Sequence, residues 1–150
     1  MGLSLVVNAC STYSKQECET MDWEHEGARF ALEGNSLLQA RRYFQTECLE
    51  ENEVSPDELA LERGHARGLS RFCTPEYVYQ FGQNGGRYAG LCAASDEPQI
   101  LPKYLQGRSE FLERRVLELE NEVHGLRNQV GFLEGELSSA QRQLGTCESN

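Results

Sequence analysis

The sequence predicts an all-α protein: a small disulfide-stapled head of about four short helices with a Gly-rich loop, followed by a long C-terminal coiled-coil helix. Three observations support this class. Apolar residues recur with alternating gaps of four and three near the C-terminus, which is a heptad pattern. Capping signals divide the preceding region into short helices. Six cysteines among 150 residues, with no C-x-x-C pair, indicate disulfides.

These signals divide the chain into three segments. We expect a lipoprotein signal remnant and anchor in residues 1–13, a helical head rich in Cys, Gly and aromatic residues in 14–97, and a coiled-coil helix with a frayed tail in 98–150. The net charge is −10, and the sequence contains no basic patch that would neutralise phosphates. Nucleic-acid binding is therefore disfavoured.

The first segment resembles the end of a bacterial lipoprotein signal. An apolar run is followed by Val7, Asn8 and Ala9 as a lipobox, and then by Cys10 as the residue that receives lipid. In such proteins an aspartate after the cysteine causes retention in the inner membrane. Ser11 stands there instead, so the resemblance implies sorting to the outer membrane. The alternative is an ordinary N-terminus with a stray cysteine.

Capping residues and glycines set the predicted helices of the head. Ser14 and Glu17 form a capping box, and Gly34 stops the helix that this box opens. Ser55 is expected to cap the third helix and Thr74 the fourth. The four predicted helices run from Lys15 to about Glu33, from about Ser36 to Glu50, from Pro56 to near Phe72, and from Pro75 to the glycine-rich stretch Gly82–Gly90.

The positions of the cysteines predict two intrachain disulfides. If the first two helices form a hairpin about residues 33–34, residues equidistant from the turn become neighbours, and Cys18 and Cys48 are such a pair. Cys73 and Cys92 bracket the glycine-rich stretch and are expected to form the second bond. In a reducing compartment, the alternative is a zinc site built from Cys48, Cys73, Cys92 and a histidine.

Four glycines lie a turn after an aromatic or aliphatic residue within the predicted helices. Glycine inside a helix costs about 1 kcal/mol relative to alanine, so each of these is expected to mark a close helix contact. The pairs are Trp23 with Gly27, Leu61 with Gly64, Tyr79 with Gly82, and Tyr104 with Gly107.

The C-terminal heptads predict a parallel homodimer. Valine or leucine at a with mostly leucine at d favours two parallel strands. Residues at g and e would pair with opposite charge across such a dimer, for example Arg115 with Glu120 and Glu122 with Arg127. An antiparallel pair, or a different partner, is the alternative. The predicted seam consists of Leu112, Val116, Leu119, Val123, Leu126, Val130, Leu133 and Leu137, and it continues through Ala140 and Leu144.

Two further features bear on this coiled coil. Cys147 falls at d, so a parallel dimer would place the two copies of Cys147 close enough for an interchain disulfide. Phe111, Leu117 and Phe132 lie on the b and c side of the helix. These three residues would pack against the head or a third helix. They therefore argue against a simple dimer of two helices.

The sequence contains no recognisable catalytic, cofactor or metal arrangement. His25 lies between two glutamates on a helix, where adjacent side chains point in different directions and do not converge as ligands. A dyad of His65 and Cys73 is disfavoured because Cys73 is expected in a disulfide, and His124 falls at a solvent-facing b position. We therefore expect no enzyme and no cofactor. A possible ligand surface would consist of Trp23, Tyr77, Tyr79 and Tyr88.

The order of cysteines, glycines and aromatic residues resembles a known family. The residues that carry the resemblance are Cys18, Asp22, Trp23, Gly27, Cys48, Asp57, Gly64, Gly68, Leu69, Phe72, Cys73, Thr74, Gly82, Gly85, Tyr88, Gly90, Cys92, Tyr104, Gly107 and Arg108. They are similar to domain-of-unknown-function family 2799 (DUF2799), which comprises small proteobacterial envelope lipoproteins. The resemblance implies residence in the cell envelope and supplies no activity.

We therefore expect a non-enzymatic lipoprotein of the cell envelope, lipid-anchored in the outer membrane and facing the periplasm. Its role would be structural or that of an adaptor, through self-association of the coiled coil. The alternative is a periplasmic binding module that recognises a cell-wall or small ligand through the aromatic and acidic residues of the head.

Overall fold

A computed structural model describes the backbone of residues 12–147 and the side chains of residues 12–144, and the described residues are helical with no strand. The predicted all-α class is confirmed. The elements are α1 Lys15–Glu19, α2 Trp23–Leu32, α3 Leu37–Phe44, a π-helical turn Gln45–Glu50, α4 Glu58–Phe72, α5 Pro75–Gln83 and α6 Glu97–Cys147.

The first predicted helix is two helices in the structure. Ser14 and Glu17 form the predicted capping box of α1, but α1 ends at Glu19. A new helix then begins because the Asp22 side chain accepts a hydrogen bond from the His25 amide at 2.9 Å. An aspartate that binds a backbone amide in this way favours a helix start over a helix interior, so the prediction of one continuous helix was wrong.

The remaining helix boundaries are set by side-chain caps, of which one was predicted wrongly. Ser36 caps α3, and Thr74 caps α5 with Pro75 at its first position. The cap of α4 is Asp57, whose carboxylate accepts from the Ala60 amide at 2.9 Å, and not the predicted Ser55. Two predicted helix ends are confirmed. The π-helical turn after α3 ends at Glu50, and α4 ends at Phe72.

Glycines bring α2 and α4 into backbone contact. A Cβ added at Gly27 would collide with the Leu61 carbonyl, and one added at Gly64 would collide with the Glu24 carbonyl. Gly68 meets the backbone of Ala28 in the same way. Because residues 24 and 28 of α2 lie beside residues 64 and 68 of α4, the two helices run in the same direction. Their packing is more extensive than that of α2 against α3.

A second pair of glycines brings α5 close to the first turns of α6. A Cβ at Gly82 would meet the Tyr104 carbonyl oxygen at 2.6 Å, and one at Gly107 would collide with the Tyr79 carbonyl. The prediction that glycines mark close helix contacts is confirmed at both crossings. It named the contact positions but not which helices meet.

The first of two buried clusters surrounds Phe44. This ring lies 5.4 Å from Trp23 and 5.1 Å from both Phe30 and Tyr43, centroid to centroid. Aromatic pairs at these separations contribute about 1 kcal/mol each beyond their burial. The buried members of the cluster are Cys18, Phe30, Ala40, Phe44, Cys48 and Leu61.

The second cluster contains Phe72, Val78, Cys92 and Ile100. The loop between α5 and α6 covers it and is tied down by hydrogen bonds. The Tyr104 hydroxyl donates to the Gly86 carbonyl at 3.2 Å, and Arg108 donates to the Gly85 carbonyl at 2.7 Å.

The chain divides into two compact units, the first ending at Arg108 and the second beginning at Ser109. The first unit extends beyond residue 97, where the sequence placed the end of the head, because the first turns of α6 complete the second cluster. We call the described part of the first unit the head and residues 109–144 of the second unit the tail. No helix in residues 12–147 is both long and apolar enough to cross a bilayer.

Candidate functional site

The structure forms both predicted disulfides. Cys18 is bonded to Cys48 and Cys73 to Cys92, with Cα separations of 5.7 and 5.6 Å. The three cysteines of the alternative zinc site are bonded in these disulfides. The cysteines at positions 10 and 147 fall outside this test, since Cys10 and the side chain of Cys147 lie outside the described residues.

The three histidines occupy unrelated positions. His65 is buried on α4, and its Nε2 lies 2.9 Å from the Asn35 carbonyl oxygen, so it ties α4 to the turn between α2 and α3. The suggested dyad with Cys73 is not formed, because Cys73 is in a disulfide. His25 is exposed at the start of α2, and His124 is exposed on the tail.

The four aromatic residues proposed as a ligand surface do not converge. Trp23 packs against Phe44 in the first cluster, whereas Tyr88 packs against Phe72 in the second. Tyr79 lines a small hollow at the start of α5, and only Tyr77 lies on a large groove. Trp23, Tyr77 and Tyr88 instead help to fill the two clusters of the head.

The environment of Tyr88 is that of a structural residue. Its hydroxyl accepts from the Cys92 amide at 3.3 Å and lies 3.4 Å from a Glu97 carboxylate oxygen, to which it donates. Burial raises the pKa of Tyr88, the amide of Cys92 opposes this effect, and the negative charge of Glu97 adds to it. The pKa of Tyr88 therefore lies above its usual value.

A groove of about 750 Å³ lies along α2 and α4 and reaches α5. The glycine contacts described above place the two helices side by side, and the larger side chains on either side of the contact line form the walls. Gly64 was predicted to mark a close helix contact, but no local pattern predicted the residues that line the groove. The lining residues are Asp22, Glu24, His25, Ala28, Arg29, Leu32, Glu33, Arg67, Arg71 and Tyr77.

Most charges in this groove are paired within the head. Arg67 forms an ion pair with Glu24 across the two helices. Arg29 donates to Glu26 at 2.6 Å and to Glu33 at 2.7 Å. Partial burial would lower the pKa of Arg29, but the hydrogen bonds and charges of the two glutamates outweigh it and raise the pKa. Arg29 therefore stays charged and fixed in place.

The tail presents the predicted apolar seam to solvent. Each seam residue from Leu112 to Leu137 is exposed in the single chain. Val116, Leu119 and Val123 line a shallow apolar hollow of about 500 Å³, with Glu120 and Arg127 also on its lining. Apolar knobs from a second helix fit hollows of this kind in coiled coils.

The tail glycines differ from those of the head. A Cβ added at Gly125, Gly131 or Gly135 would meet no atom within 4 Å. These glycines lie at c, b and f, away from the seam, and they interrupt neither the helix nor the heptad pattern.

Comparison with known proteins identifies the family but no activity. The model of the family described as "Protein of unknown function (DUF2799)" matches residues 22–109, which contain the whole groove and the Cys73–Cys92 disulfide. No curated protein and no solved structure matches the chain significantly. The match covers more than half of the chain, so the protein belongs to the DUF2799 family.

Proposed function

We propose that this protein is a non-enzymatic lipoprotein of the cell envelope with a structural or adaptor role, and that it works as a parallel homodimer joined through the tail. The observation that carries the proposal is the exposed apolar seam, which extends for roughly 50 Å from Leu112 to Leu144. A continuous apolar surface of this length is uncommon on a monomer and marks an interaction site.

A second copy of the chain suits the seam in both shape and charge. Val116, Val123 and Val130 alternate with leucines at d, the combination that favours a parallel pair. In that arrangement g and e residues of the two copies meet with opposite charges, which helps to select orientation although each exposed pair contributes only about 0.5 kcal/mol. The pairs within the tail are Arg115 with Glu120 and Glu122 with Arg127.

The proposed location rests on the cysteines. Disulfides persist in oxidising compartments such as the bacterial periplasm, and the head contains two of them. A lipid on Cys10 would anchor the chain in the outer membrane on its periplasmic side. Expression with the natural upstream region and mass spectrometry of the mature N-terminus test this assignment. Lipidated Cys10 is the expected species, and an unmodified Met1 on a cytosolic protein would exclude it.

The alternative function, recognition of a cell-wall or small ligand through Trp23, Tyr77, Tyr79 and Tyr88, has less support in that form. Trp23, Tyr77 and Tyr88 pack against the two clusters, and Tyr79 lines a separate hollow. A surface made from all four would require the head to rearrange its core.

Self-association is tested with one seam variant and one matched control. Leu126 at d is 53% exposed and Leu117 at b is 60% exposed. The substituted side chain is therefore similarly exposed to solvent at either position in the single chain. Sedimentation equilibrium should find a dimer for the wild type and for Leu117→Asp, but a monomer for Leu126→Asp. A monomeric wild type, or equal dissociation by both substitutions, would refute the seam as the interface.

A further inference from the structure

The groove along α2 and α4 has the size and lining of a ligand site. Its volume of about 750 Å³ falls within the range of roughly 300 to 1,000 Å³ that small-ligand sites occupy. Ala28, Leu32 and the ring of Tyr77 are partly buried and supply apolar surface. None of the four disulfide cysteines lines this groove.

After the internal ion pairs are formed, one acidic and one basic side chain of the groove remain without an oppositely charged partner within residues 12–144. Glu24 is paired with Arg67, and Arg29 is paired with glutamates on its own helix. Among the described residues, no side-chain hydrogen bond or ion pair engages the Arg71 guanidinium. The Asp22 carboxylate has no cationic partner in the same part of the chain, and it accepts only the His25 amide through Oδ1.

These two charges lie at opposite ends of the groove. Asp22 precedes α2, and Arg71 is in the last turn of α4. Because the two helices run in the same direction and in the register described above, the end of α4 lies alongside the end of α2 near Leu32. Residues 22–33 rise by about 16 Å along the helix axis. The unpaired carboxylate and the unpaired guanidinium therefore stand at opposite ends of the groove.

We propose that this groove binds a short extended peptide with free termini, its ammonium group at Asp22 and its carboxylate at Arg71. A chain extending by about 3.3 Å per residue spans the groove with roughly five residues. Guanidinium groups bind carboxylates through paired hydrogen bonds, and Ala28, Leu32 and Tyr77 would contact small apolar side chains. A polyanion fits less well because Asp22, Glu24 and Glu33 also line the groove.

Nuclear magnetic resonance of the ¹⁵N-labelled full chain tests the proposal with penta-alanine as the probe. The peptide with free termini should shift the amide signals of residues 22–33 and 67–77. The same peptide with an acetylated N-terminus and an amidated C-terminus should not. Equal shifts with both peptides, shifts confined to the tail, or no shift with either peptide would overturn the proposal.

Two arginine variants separate the site from a general charge effect. Arg71 and Arg42 are both exposed in the last turn of a helix, and Arg42 does not line the groove. Arg71→Ala should weaken binding by roughly tenfold or more, the effect of losing one charge-assisted hydrogen bond, while Arg42→Ala leaves it unchanged. Equal weakening by both would refute the assignment. Sedimentation of the same samples reports dimerisation separately, so the two proposals can fail independently.

Discussion

The head and the tail are both helical and both contain helix glycines, but they use their residues in opposite ways. In the head, Gly27, Gly64 and Gly107 each touch the backbone of another helix, and the apolar residues between the helices are buried. In the tail, a Cβ at Gly131 would meet nothing within 4 Å, and the leucines and valines of the seam are exposed. The apolar side chains of the head are covered within the head, whereas those of the seam stay exposed in the single chain.

Removing the Cys18–Cys48 disulfide should have the largest effect on stability, and this effect should be confined to the head. Cys18 and Cys48 are fully buried and are separated by 30 residues, so their bond closes a long loop in the unfolded chain. Replacing both with alanine should lower the free energy of unfolding by roughly 4 kcal/mol. Urea denaturation followed by near-UV circular dichroism measures this loss. An unchanged midpoint, or loss of the dimer at a concentration where the head is folded, would contradict the division into independent regions.

The substitution Gly64→Ala should be nearly as damaging. The new methyl group would collide with the Glu24 carbonyl, which is backbone and cannot move without separating α2 from α4. Overpacking of this kind costs roughly 1 to 3 kcal/mol and more where backbone must shift. The urea midpoint should therefore fall clearly, and a variant as stable as the wild type would show that the helices are not in backbone contact.

The same substitution in the tail should have the opposite sign. Gly131 faces open space in the single chain and lies at b, so Gly131→Ala adds helix propensity without a collision. We expect a gain of about 1 kcal/mol per chain, measured as a higher melting temperature of the helical signal at 222 nm. A loss of stability would mean that a second helix packs closely on the b face, and the two-stranded arrangement would then need revision.

The smallest expected effect concerns the first cap of the head. Hydrogen bonds from the Ser14 backbone and side chain hold the pKa of Glu17 below its ordinary value. A lowered folded-state pKa contributes stability that is present above the unfolded pKa and is lost as the pH falls through the folded pKa. Wild type should therefore lose slightly more stability than Glu17→Gln between pH 6 and pH 3, roughly the range in which carboxylates titrate. If the stability of the two proteins changed identically with pH, the capping box of Ser14 and Glu17 would not form.

Local signals in the sequence were enough to predict much of the fold. Ser14, Ser36 and Thr74 each cap a helix because a cap depends on residues within one turn. Asp22 and Asp57 were missed because stronger cap signals lie nearby, at Ser14 and Ser55. The choice between neighbouring caps depends on where the tertiary packing needs each helix to begin.

Long-range packing and the groove were harder to predict. The hairpin argument paired Cys18 with Cys48 correctly, yet it did not reveal that α2 packs mainly on α4. Gly27 and Gly64 indicated close helix contacts without identifying the partner helix. Arg71 and Asp22 lie far apart in the chain, so no local pattern could place them in one groove. Conversely, the long C-terminal helix was predicted because its heptad pattern is periodic and local.

The central claim, a parallel pair of tails, is tested most directly by one distance between two spin labels. Arg142 lies at an f position on the outer side of the tail, and a label at Arg142→Cys, with Cys10 and Cys147 replaced by serine, reports its separation from its counterpart. A parallel dimer predicts a single distance of roughly 20 Å, about the width of two packed helices. A fully overlapped antiparallel pair predicts about 40 Å or more. Pulsed dipolar spectroscopy that gave the longer distance, or no coupling between labels, would contradict the account.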